Sequence, residues 1–410
     1  DSRLFGVNTA AWDSSLFTTA TSTLLKAAAF RTLRFPGGSL SDGYNWKTNT
    51  SDSNTWTWAS SFDSFAAIAK ASAAQAFITV NYGTGTAQEA ADWVTYSNKT
   101  KALGLKYWEI GNECYGPWEE DTQAIPHDPY TYAVRAKDYI TKMKAADPSI
   151  KIGVVVTTGE DSYANNSNHP TINPRTGVTH NGWTPVLLAT LNSLGVTPDY
   201  VIYHRYEQGP FGENDSSLLQ SAKTWKSDAA DLRQQLSDYL GSSGSAVELV
   251  CTENNSVYSS PGKQSVSLVN ALFWLDSFAN LSQTEFRSMV WWDLRNGQET
   301  GNNNSSSLYG WRQYGDYGIM SYANDTYPTY YAMKLLSKFA KDGDTIVEST
   351  SDYGLLSSYA AKRTDGSIAI LVINKSPNLT LNGGIALSGF TPNSTATQSL
   401  YGIAQDDAAR

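Results

Sequence analysis

Short apolar runs alternate with longer amphipathic segments along the first 340 residues of the chain. Eight of these runs have the length of a β-strand. In order they are LFGVN (4–8), TLRF (32–35), AFITVN (76–81), YWEIGN (107–112), KIGVVV (151–156), YVIYH (200–204), ELVCTE (248–253) and SMVWWD (288–293). Runs of this kind are typical of strands buried in a sheet.

The segments between the runs carry apolar residues three and four positions apart, as amphipathic helices do. The clearest of these segments cover residues 61–72, 86–97, 129–146, 227–240 and 265–279. Strands that alternate with helices pair in parallel, and eight such units can close into a barrel. The pattern therefore predicts an α/β fold in which residues 1–340 form a (β/α)8 TIM barrel.

The pattern changes after the helical segment at 327–340. Four short alternating runs follow, at residues 345–350, 354–361, 367–374 and 385–390, separated by Gly, Asp, Asn and Pro. They predict a small C-terminal antiparallel β domain over residues 341–410, to which residues near the N-terminus could contribute. The segment is short for a complete sandwich, so we expect the sheet to pack on the barrel or the natural chain to continue.

The composition narrows the range of partners. Of the 410 residues 17% are charged, and no apolar run reaches the roughly 20 residues that a membrane span needs. The net charge of −9 offers no basic surface to nucleic acid. We expect a neutral substrate rather than nucleic acid or a membrane, and the sequence leaves the oligomeric state open. The chain begins at Asp1 without an initiator methionine, which suggests processing, so we expect a secreted protein.

Aromatic residues are abundant, with 13 Trp and 24 Tyr. Sugars present apolar C–H faces that stack on aromatic rings, and their hydroxyls pair with polar neighbours. Some of these rings must fill the core. The remainder favour a carbohydrate as the partner.

Two glutamates stand at the ends of predicted strands. Glu113 follows the fourth strand and Glu253 ends the seventh. In a barrel the reactive groups lie at the carboxyl ends of the strands, and strands four and seven face each other across the mouth. Two carboxylates about 5 Å apart suit retaining glycoside hydrolysis, with one as nucleophile and the other as acid and then base.

These residues resemble clan A of the glycoside hydrolases. The resemblance assigns Glu113, which follows Asn112, as acid/base and Glu253 as nucleophile, and it implies no cofactor. Four motifs are similar to family 51, the α-L-arabinofuranosidases with some endoglucanases: RFPGGSLSDGYNW (34–46), VNYGTGTAQEAADWVTYSN (80–98), NECYGPW (112–118) and TENNSVY (252–258). Families 39, 44 and 79 are more distant relatives. The resemblance covers roughly residues 1–340.

The resemblance also implies polar contacts around the reacting sugar. Arg34 ends strand two, where the clan has an arginine that orients the nucleophile; the alternative is a structural ion pair. Asn112 would bind the sugar 2-hydroxyl. His204 and Tyr206 end strand six, near the nucleophile. None of the four histidines has metal-ligand spacing, so we expect no metal at His204.

Aromatic residues of the same motifs are candidate sugar contacts. Trp292 is the candidate floor of the central sugar site, because it and Trp291 face opposite sides of strand eight. Trp118 and Trp46 complete the set of predicted substrate-binding residues. The loop at 296–318 contains four further aromatics, which either form sugar subsites or pack within the protein.

The chain departs from the arabinofuranosidase pattern beside both carboxylates. Cys114 and Tyr115 replace Met-Asp after the acid/base, and Asn254 replaces Trp after the nucleophile. The substrate therefore stays open between an α-L-arabinofuranoside cleaved from a chain end and a β-linked glucan or xylan cleaved internally. A carbohydrate-binding protein on an inactive barrel is the alternative from another class. A phosphate-binding barrel enzyme would need a Gly-rich loop and basic groups near strands seven and eight, which TENNSVY does not provide.

We explain two further features of the sequence by structure rather than by function. Cys114 and Cys251 lie on opposed strands, roughly 10 Å apart, beyond the ~7 Å that a disulfide spans, so we predict two free, buried thiols. The stretch NYGTGTAQEA (81–90) lacks the third glycine of a dinucleotide loop, and we predict a tight strand-to-helix turn.

Overall fold

The structure is a computed structural model that describes residues 3–51, 55–164, 167–302 and 306–410. Within them, eight parallel strands close into a barrel. The strands are β1 (Phe5–Asn8), β2 (Thr32–Phe35), β3 (Gln75–Val80), β4 (Tyr107–Ile110), β5 (Lys151–Val155), β6 (Tyr200–Gln208), β7 (Glu248–Val257) and β8 (Met289–Trp291). They pair in the order β1-β8-β7-β6-β5-β4-β3-β2, so chain neighbours are also barrel neighbours. The predicted (β/α)8 barrel is confirmed.

Helices join the strands and cover the outside of the barrel. They are α1 (Thr19–Ala27), α2 (Phe62–Ala71), α3 (Ala87–Thr95), α4 (Pro129–Ala146), α5 (Trp183–Ser193), α6 (Asp215–Ser221), α7 (Trp225–Leu240), α8 (Leu268–Leu281) and α9 (Pro328–Leu336). The five helices predicted from periodicity are confirmed, and their ends differ from the prediction by at most three residues. No helix in the described ranges is long and apolar enough to cross a membrane.

Side-chain caps fix where helices begin beyond the carboxyl ends of the strands. The Thr86 hydroxyl accepts a hydrogen bond from the backbone N–H of Glu89 at the start of α3. At α4 the Asp128 carboxylate accepts from the backbone N–H of Thr131, and Pro129 occupies the first turn, where its missing N–H costs nothing. These caps anchor the loops that follow β3 and β4, next to the barrel mouth.

The C-terminal segment contains a three-stranded antiparallel sheet. Its strands are β9 (Thr345–Val347), β10 (Leu356–Lys362) and β11 (Ile368–Asn374), in the order β9-β10-β11. They correspond to the first three apolar runs predicted after residue 340. The N-terminal strand does not contribute to this sheet, because β1 pairs with β2 and β8 in the barrel. A domain boundary at 340 and 341 stays a prediction.

The fourth run of the predicted C-terminal sheet, residues 385–390, is not a strand. Ile385 is 63% exposed and Leu387 is 38% exposed, so these apolar side chains lack a packing surface. Alternation of apolar and polar residues yields a strand only where a partner edge supplies hydrogen bonds and a buried face. The prediction of a strand at 385–390 was therefore wrong.

A buried polar joint holds the small sheet to the barrel. Asp276 of α8 accepts a hydrogen bond from the Tyr359 hydroxyl of β10 at 2.6 Å. The ammonium group of Lys375, next to β11, lies 2.9 Å from the other carboxylate oxygen of Asp276. Lys375 is 8% exposed and Asp276 is 2% exposed, so the pair is largely shielded from water.

Replacing Lys375 with Met should leave the Asp276 carboxylate buried without its counter-charge. Removal of one partner from a buried ion pair costs about 3–5 kcal/mol, so we expect a lower midpoint in chemical unfolding and faster proteolysis after residue 340. The matched control is Lys362→Met, which alters an exposed lysine of the same sheet. A Lys375→Met protein as stable and as protease-resistant as this control would contradict a role for the ion pair in holding the sheet.

Candidate active site

A bulge between β6 and β7 positions two of the predicted site residues. Tyr203 pairs with Cys251, but the next residue, His204, pairs with Glu253, so Thr252 is an additional residue in β7. An extra residue in one strand redirects the side chains that follow it. The side chains of His204 and Glu253 are 3% and 6% exposed, and they lie at the mouth of the barrel.

The two predicted carboxylates lie close together. One carboxylate oxygen each of Glu113 and Glu253 and one ring nitrogen of His204 lie within 4.8 Å of one another. Retaining glycosidases have carboxyl groups about 5–5.5 Å apart, whereas inverting enzymes need about 6.5–9.5 Å. The separation therefore favours a retaining arrangement.

The backbone turns sharply between the end of β4 and Glu113. Gly111 has φ of 71° and Glu113 has φ of 38°, both in the left-handed region. A Cβ on Gly111 would lie 2.4 Å from the sulfur of Cys114, so only glycine fits there. A non-glycine residue in this region costs of order 1–3 kcal/mol, which the surrounding contacts must offset.

Both oxygens of Glu253 are held by hydrogen-bond donors. The Arg34 guanidinium donates from Nη1 to Oε1 at 2.6 Å. The Tyr206 hydroxyl donates to Oε2 at 2.6 Å. Burial, and then the charge of Glu253, raise the pKa of Tyr206 well above its usual range, so the phenol keeps its proton and remains a donor. These contacts fix the orientation of the Glu253 carboxylate.

Arg34 is the centre of a buried network inside the barrel. Its Nε lies 2.7 Å from a carboxylate oxygen of Glu109, and its remaining donors reach the side-chain oxygens of Asn8 at 3.1 Å and Asn112 at 2.8 Å. Burial opposes the charge of Arg34, but the carboxylates of Glu109 and Glu253 outweigh it and raise the pKa of the guanidinium. Arg34 therefore remains a cation at 1% exposure.

Sequence reasoning missed Glu109, which is fully buried. The residue lies within the apolar run of β4, where it accepts hydrogen bonds from Arg34 and from the Thr79 hydroxyl at 2.9 Å. A charged residue inside an otherwise apolar strand is itself a signal, because such a charge needs a buried partner. Arg34, at the end of β2, is that partner.

Glu113 has donors on both of its carboxylate oxygens. The ring nitrogen Nδ1 of His204 lies 3.0 Å from Oε1, and the indole N–H of Trp118 donates to Oε2 at 2.8 Å. Burial would raise the pKa of Glu113, but hydrogen bonds and charge interactions with His204, and hydrogen bonds from Trp118 and Tyr115, outweigh it and lower that pKa. The contacts thus stabilise the carboxylate form.

His204 links the two carboxylates. Its Nδ1 lies 3.0 Å from Glu113 and 3.6 Å from Glu253, and its Nε2 lies 3.0 Å from the Thr252 hydroxyl. A tautomer with the proton on Nδ1 satisfies both ring nitrogens, because Thr252 can then donate to Nε2. The spacing of Glu113, His204 and Glu253 would also suit a metal ion. However, the oxygens of Glu253 are already engaged by Arg34 and Tyr206, so we interpret the group as an acid-base centre.

Asn112 is fixed by its neighbours on both sides. Its side-chain oxygen accepts from Arg34, and its side-chain nitrogen donates at 2.9 Å to Glu119, a residue that sequence reasoning missed. The Ser39 hydroxyl donates to the same Glu119 oxygen at 2.9 Å. Burial, together with the charges of Asp42 and Glu113, raises the pKa of Glu119 well above its usual range. The predicted contact between Asn112 and a sugar hydroxyl stays a prediction.

The aromatic candidates fall into different environments. Trp291 is fully buried, whereas Trp292 is partly exposed and meets Trp12 edge to face, with ring centroids 6.1 Å apart. A Cβ on Gly38 would lie 2.6 Å from the Trp292 ring, so this glycine lets the backbone approach the indole closely. Trp118 is 55% exposed and contacts Glu113 directly.

Trp46 packs against the helix α3. Its ring stacks on Trp93 of α3 at a centroid distance of 5.8 Å, and its indole N–H donates to the backbone oxygen of Glu89. Aromatic stacking and a satisfied N–H account for the residue by packing alone. The predicted contact between Trp46 and a sugar stays a prediction.

The aromatics of the 296–318 loop mostly pack within the protein. The Tyr309 hydroxyl donates to the backbone oxygen of Pro377, Trp311 lies under the Arg312 guanidinium, and Tyr314 packs near Tyr327. These contacts favour packing over sugar subsites. Residues 303–305 of this loop lie outside the described residues.

Two structural predictions are confirmed. Cys114 and Cys251 are free and buried. The turn that follows β3 is closed by Asn81, whose side-chain oxygen accepts from the backbone N–H groups of Thr84 and Gly85 at 3.0 and 2.9 Å. This Asn-based turn leads directly into the capped start of α3, as expected for a tight connection.

Comparison with curated proteins finds arabinofuranosidases. No family model matches the chain. A segment that covers 34% of the chain is 28% identical to a probable α-L-arabinofuranosidase C from Aspergillus fumigatus, of which it covers 32%. The chain thus spans about a third of the length of the curated relatives that it matches.

Solved structures share the fold over most of the chain. The GH51 α-L-arabinofuranosidase from Thermotoga petrophila matches 91% of this chain and 82% of its own, with a TM-score of 0.64 and 18% identity. A bifunctional glucanase-xylanase from a metagenome library matches 92% of this chain and 85% of its own, with a TM-score of 0.63 and 17% identity. The predicted resemblance to family 51 and its clan is confirmed, and at these identities the structures establish the shared fold.

Replacing Arg34 with Met should leave Glu109 and Glu253 buried without a counter-ion. We expect a loss of about 3–5 kcal/mol in the free energy of unfolding, measured in guanidinium chloride. The double variant with Glu109→Gln should recover part of this loss, because one uncompensated charge is removed. The control is Arg31→Met at an exposed position. A loss no larger than that of the control would show that the network is dispensable for stability.

Replacing His204 with Phe should raise the pKa of Glu113. The variant loses the Nδ1 donor, but Glu113 stays buried. Burial, which disfavours the carboxylate form, should therefore outweigh the remaining hydrogen bonds. The measurement is a carbon-13 titration of the glutamate side chains, in which the spectrum of Glu113→Gln identifies the resonance. An unchanged or lower pKa would refute the inferred contribution of His204.

Proposed function

We propose that the protein is a retaining O-glycoside hydrolase that acts on plant cell-wall polysaccharide. The observation that carries the proposal is the pair Glu113 and Glu253, close enough for double displacement and held in different environments. Both carboxylate oxygens of Glu253 accept hydrogen bonds, from Arg34 and Tyr206. These bonds hold the carboxylate in one orientation, as a nucleophile requires. Glu113 is the more exposed of the two, with 15% of its side chain accessible.

In the first step Glu253 attacks the anomeric carbon while Glu113 protonates the departing oxygen. Arg34 and Tyr206 orient the attacking carboxylate. As Glu113 gives up its proton it becomes the carboxylate that His204 and Trp118 stabilise. These donors therefore make Glu113 a stronger acid, although they reduce the fraction that is protonated at a given pH.

In the second step water attacks the glycosyl-enzyme, and Glu113 acts as the base. The proton that Glu113 removes from water restores the acid for the next turnover. Trp292 would support the sugar ring in the central site, and Asn112 would contact its 2-hydroxyl.

Among possible sugars, α-L-arabinofuranosides on hemicellulose are the first choice. The curated relatives are described as arabinofuranosidases. The residues that depart from their pattern are buried, since Cys114, Tyr115 and Asn254 are 2%, 6% and 0% exposed.

A β-1,4-linked glucan or xylan is the second choice, supported by the fold shared with a glucanase-xylanase. A non-catalytic carbohydrate-binding protein remains the alternative from another class. We also propose that the protein is secreted, as an enzyme on cell-wall polymers would be.

Glu253→Gln should abolish product formation, and Glu113→Gln should lower kcat/KM about 10²- to 10⁴-fold on substrates with a poor leaving group. Products from aryl glycosides, arabinan, xylan, mixed-linkage glucan and cellulose are separated by chromatography. The control is Glu207→Gln, which alters a carboxylate on β6 that pairs with Arg205. Free arabinose would identify an arabinofuranosidase, and a ladder of oligosaccharides an internally cleaving glucanase or xylanase.

The stereochemistry of the first product tests the mechanism independently of the sugar. Proton NMR during hydrolysis should show the anomer with the configuration of the substrate. An inverted first product would refute double displacement. Binding of a polysaccharide without any product from the wild-type protein would favour the carbohydrate-binding alternative.

A further inference from the structure

Glu119 is a buried carboxyl group that no step of the proposed mechanism uses. It is 5% exposed and lies in the loop after β4. Its oxygen Oε1 accepts hydrogen bonds from the side-chain nitrogen of Asn112 and from the Ser39 hydroxyl, both at 2.9 Å. Its other oxygen, Oε2, is buried and has no hydrogen-bond partner among the described residues. A charged oxygen without a donor is costly to bury, so these contacts favour a carboxyl group that keeps its proton.

Two consecutive turns bring Glu119 back to Asn112. The backbone N–H of Gly116 donates to the backbone oxygen of Glu113 at 2.6 Å, and the backbone N–H of Glu119 donates to that of Gly116 at 3.1 Å. A Cβ on Gly116 would lie 2.3 Å from the Trp118 ring, so only glycine fits in this turn. Neighbouring residues of the loop thus reach neighbouring residues of the site, because Trp118 contacts Glu113 and Glu119 contacts Asn112.

The surroundings of Glu119 also favour its neutral form. Burial raises the pKa of Glu119 most, the charges of Asp42 and Glu113 add to this effect, and hydrogen bonds from Ser39 and Asn112 oppose it only in part. Asp42 is itself fully buried, and its Oδ2 accepts a hydrogen bond from the backbone N–H of Asn112 at 3.1 Å. Two acidic residues therefore hold Asn112, one at its backbone and one at its side chain. A neutral Glu119 adds no negative charge beside Glu113.

The Asn112 side chain has one favoured orientation between its two partners. An amide offers one oxygen that accepts and one nitrogen that can donate twice. Arg34 donates to the Asn112 oxygen at 2.8 Å, and the Asn112 nitrogen donates to Glu119. A reversed amide would place its N–H groups against the Arg34 cation, which has no acceptor. In the observed orientation the second N–H of the Asn112 nitrogen can donate to a sugar hydroxyl.

We propose that Glu119 is a positioning residue that, as a neutral acid, holds the Asn112 amide in the orientation that binds the 2-hydroxyl of the reacting sugar. The inference rests on the proposed function, in which Asn112 contacts that hydroxyl. Glu119 acts through Asn112 and does not itself touch the sugar. Glutamine can replace it, because the side-chain oxygen of glutamine accepts the same two hydrogen bonds and the side chain carries no charge.

The test compares Glu119→Leu and Glu119→Gln on substrates with and without the 2-hydroxyl. The first pair is para-nitrophenyl α-L-arabinofuranoside and its 2-deoxy counterpart. The second pair is para-nitrophenyl β-cellobioside and the counterpart that lacks the 2-hydroxyl on the reacting glucose. The matched control is Glu120→Leu, which alters the neighbouring, exposed glutamate of the same loop.

Glu119→Leu should lower kcat/KM about tenfold on the substrate that carries the 2-hydroxyl, as expected for the loss of one hydrogen bond, and less than about twofold on its 2-deoxy counterpart. Glu119→Gln and Glu120→Leu should behave as the wild type on both. An equal loss on both substrates would overturn the proposal, because Glu119 would then affect the site as a whole. It would also be overturned if Glu119→Leu lost no activity, or if Glu119→Gln were as impaired as Glu119→Leu.

A carbon-13 titration of the wild-type protein tests the neutral form of Glu119 without any substrate. The carboxyl signal of Glu119, identified by its absence from Glu119→Gln, should titrate at a higher pH than the signal of Glu120, identified in the same way. A Glu119 signal that titrates at the same pH or lower would overturn the proposal, and this measurement does not require Glu119→Leu to fold.

The Asn112 side chain gives a measurement that separates this inference from the proposed function. If the wild-type protein hydrolyses neither aryl glycosides nor polysaccharides, the glycosidase proposal fails. The nitrogen-15 signal of the Asn112 side chain, identified with Asn112→Ala, still tests the positioning. It should shift in Glu119→Leu and stay in place in Glu120→Leu. An unshifted signal in Glu119→Leu would overturn the inference.

Discussion

The ion pairs of Arg34 are the interaction on which the rest of the site depends. One guanidinium, carried by β2 inside the barrel, contacts side chains that come from β1, β4, β7 and the turn after β4. A lone charge in that environment would be very costly, but two carboxylates and two amide oxygens compensate it. The barrel therefore closes around a charge distribution that also sets the orientation of Glu253.

His204 gives the two carboxylates separate roles at short range. Two carboxylates so close together would ordinarily share a proton, because their charges repel each other. Here the Glu253 carboxylate forms hydrogen bonds with Arg34 and Tyr206. The Glu113 carboxylate forms hydrogen bonds with His204 and Trp118. Arg34, next to Glu253, is a permanent cation, whereas neither donor next to Glu113 carries a permanent charge. Arg34 lies on β2, His204 and Tyr206 both lie on β6, and Trp118 lies in the loop after β4.

The sequence predicted what depends on local patterns and missed what depends on distant partners. Alternation of apolar runs and helical segments was enough for the barrel, and the strand ends were enough for Glu113 and Glu253. The sequence predicted the helix α3 but not that the ring of Trp46 stacks on Trp93 of this helix. Glu119 carried no sequence signal, because its role comes from a contact with Asn112 across a loop. The run at 385–390 failed as a strand for lack of a partner edge.

The bulge at Thr252 has a consequence for how such a protein can diverge. The position of Glu253 is set by the number of residues within two paired strands, whereas Trp118 belongs to a connecting loop. Loops tolerate insertions and replacements far better than paired strands do. Replacements in such loops can therefore change which substrate binds while the nucleophile keeps its position. In this molecule the catalytic reaction and the substrate specificity can evolve separately.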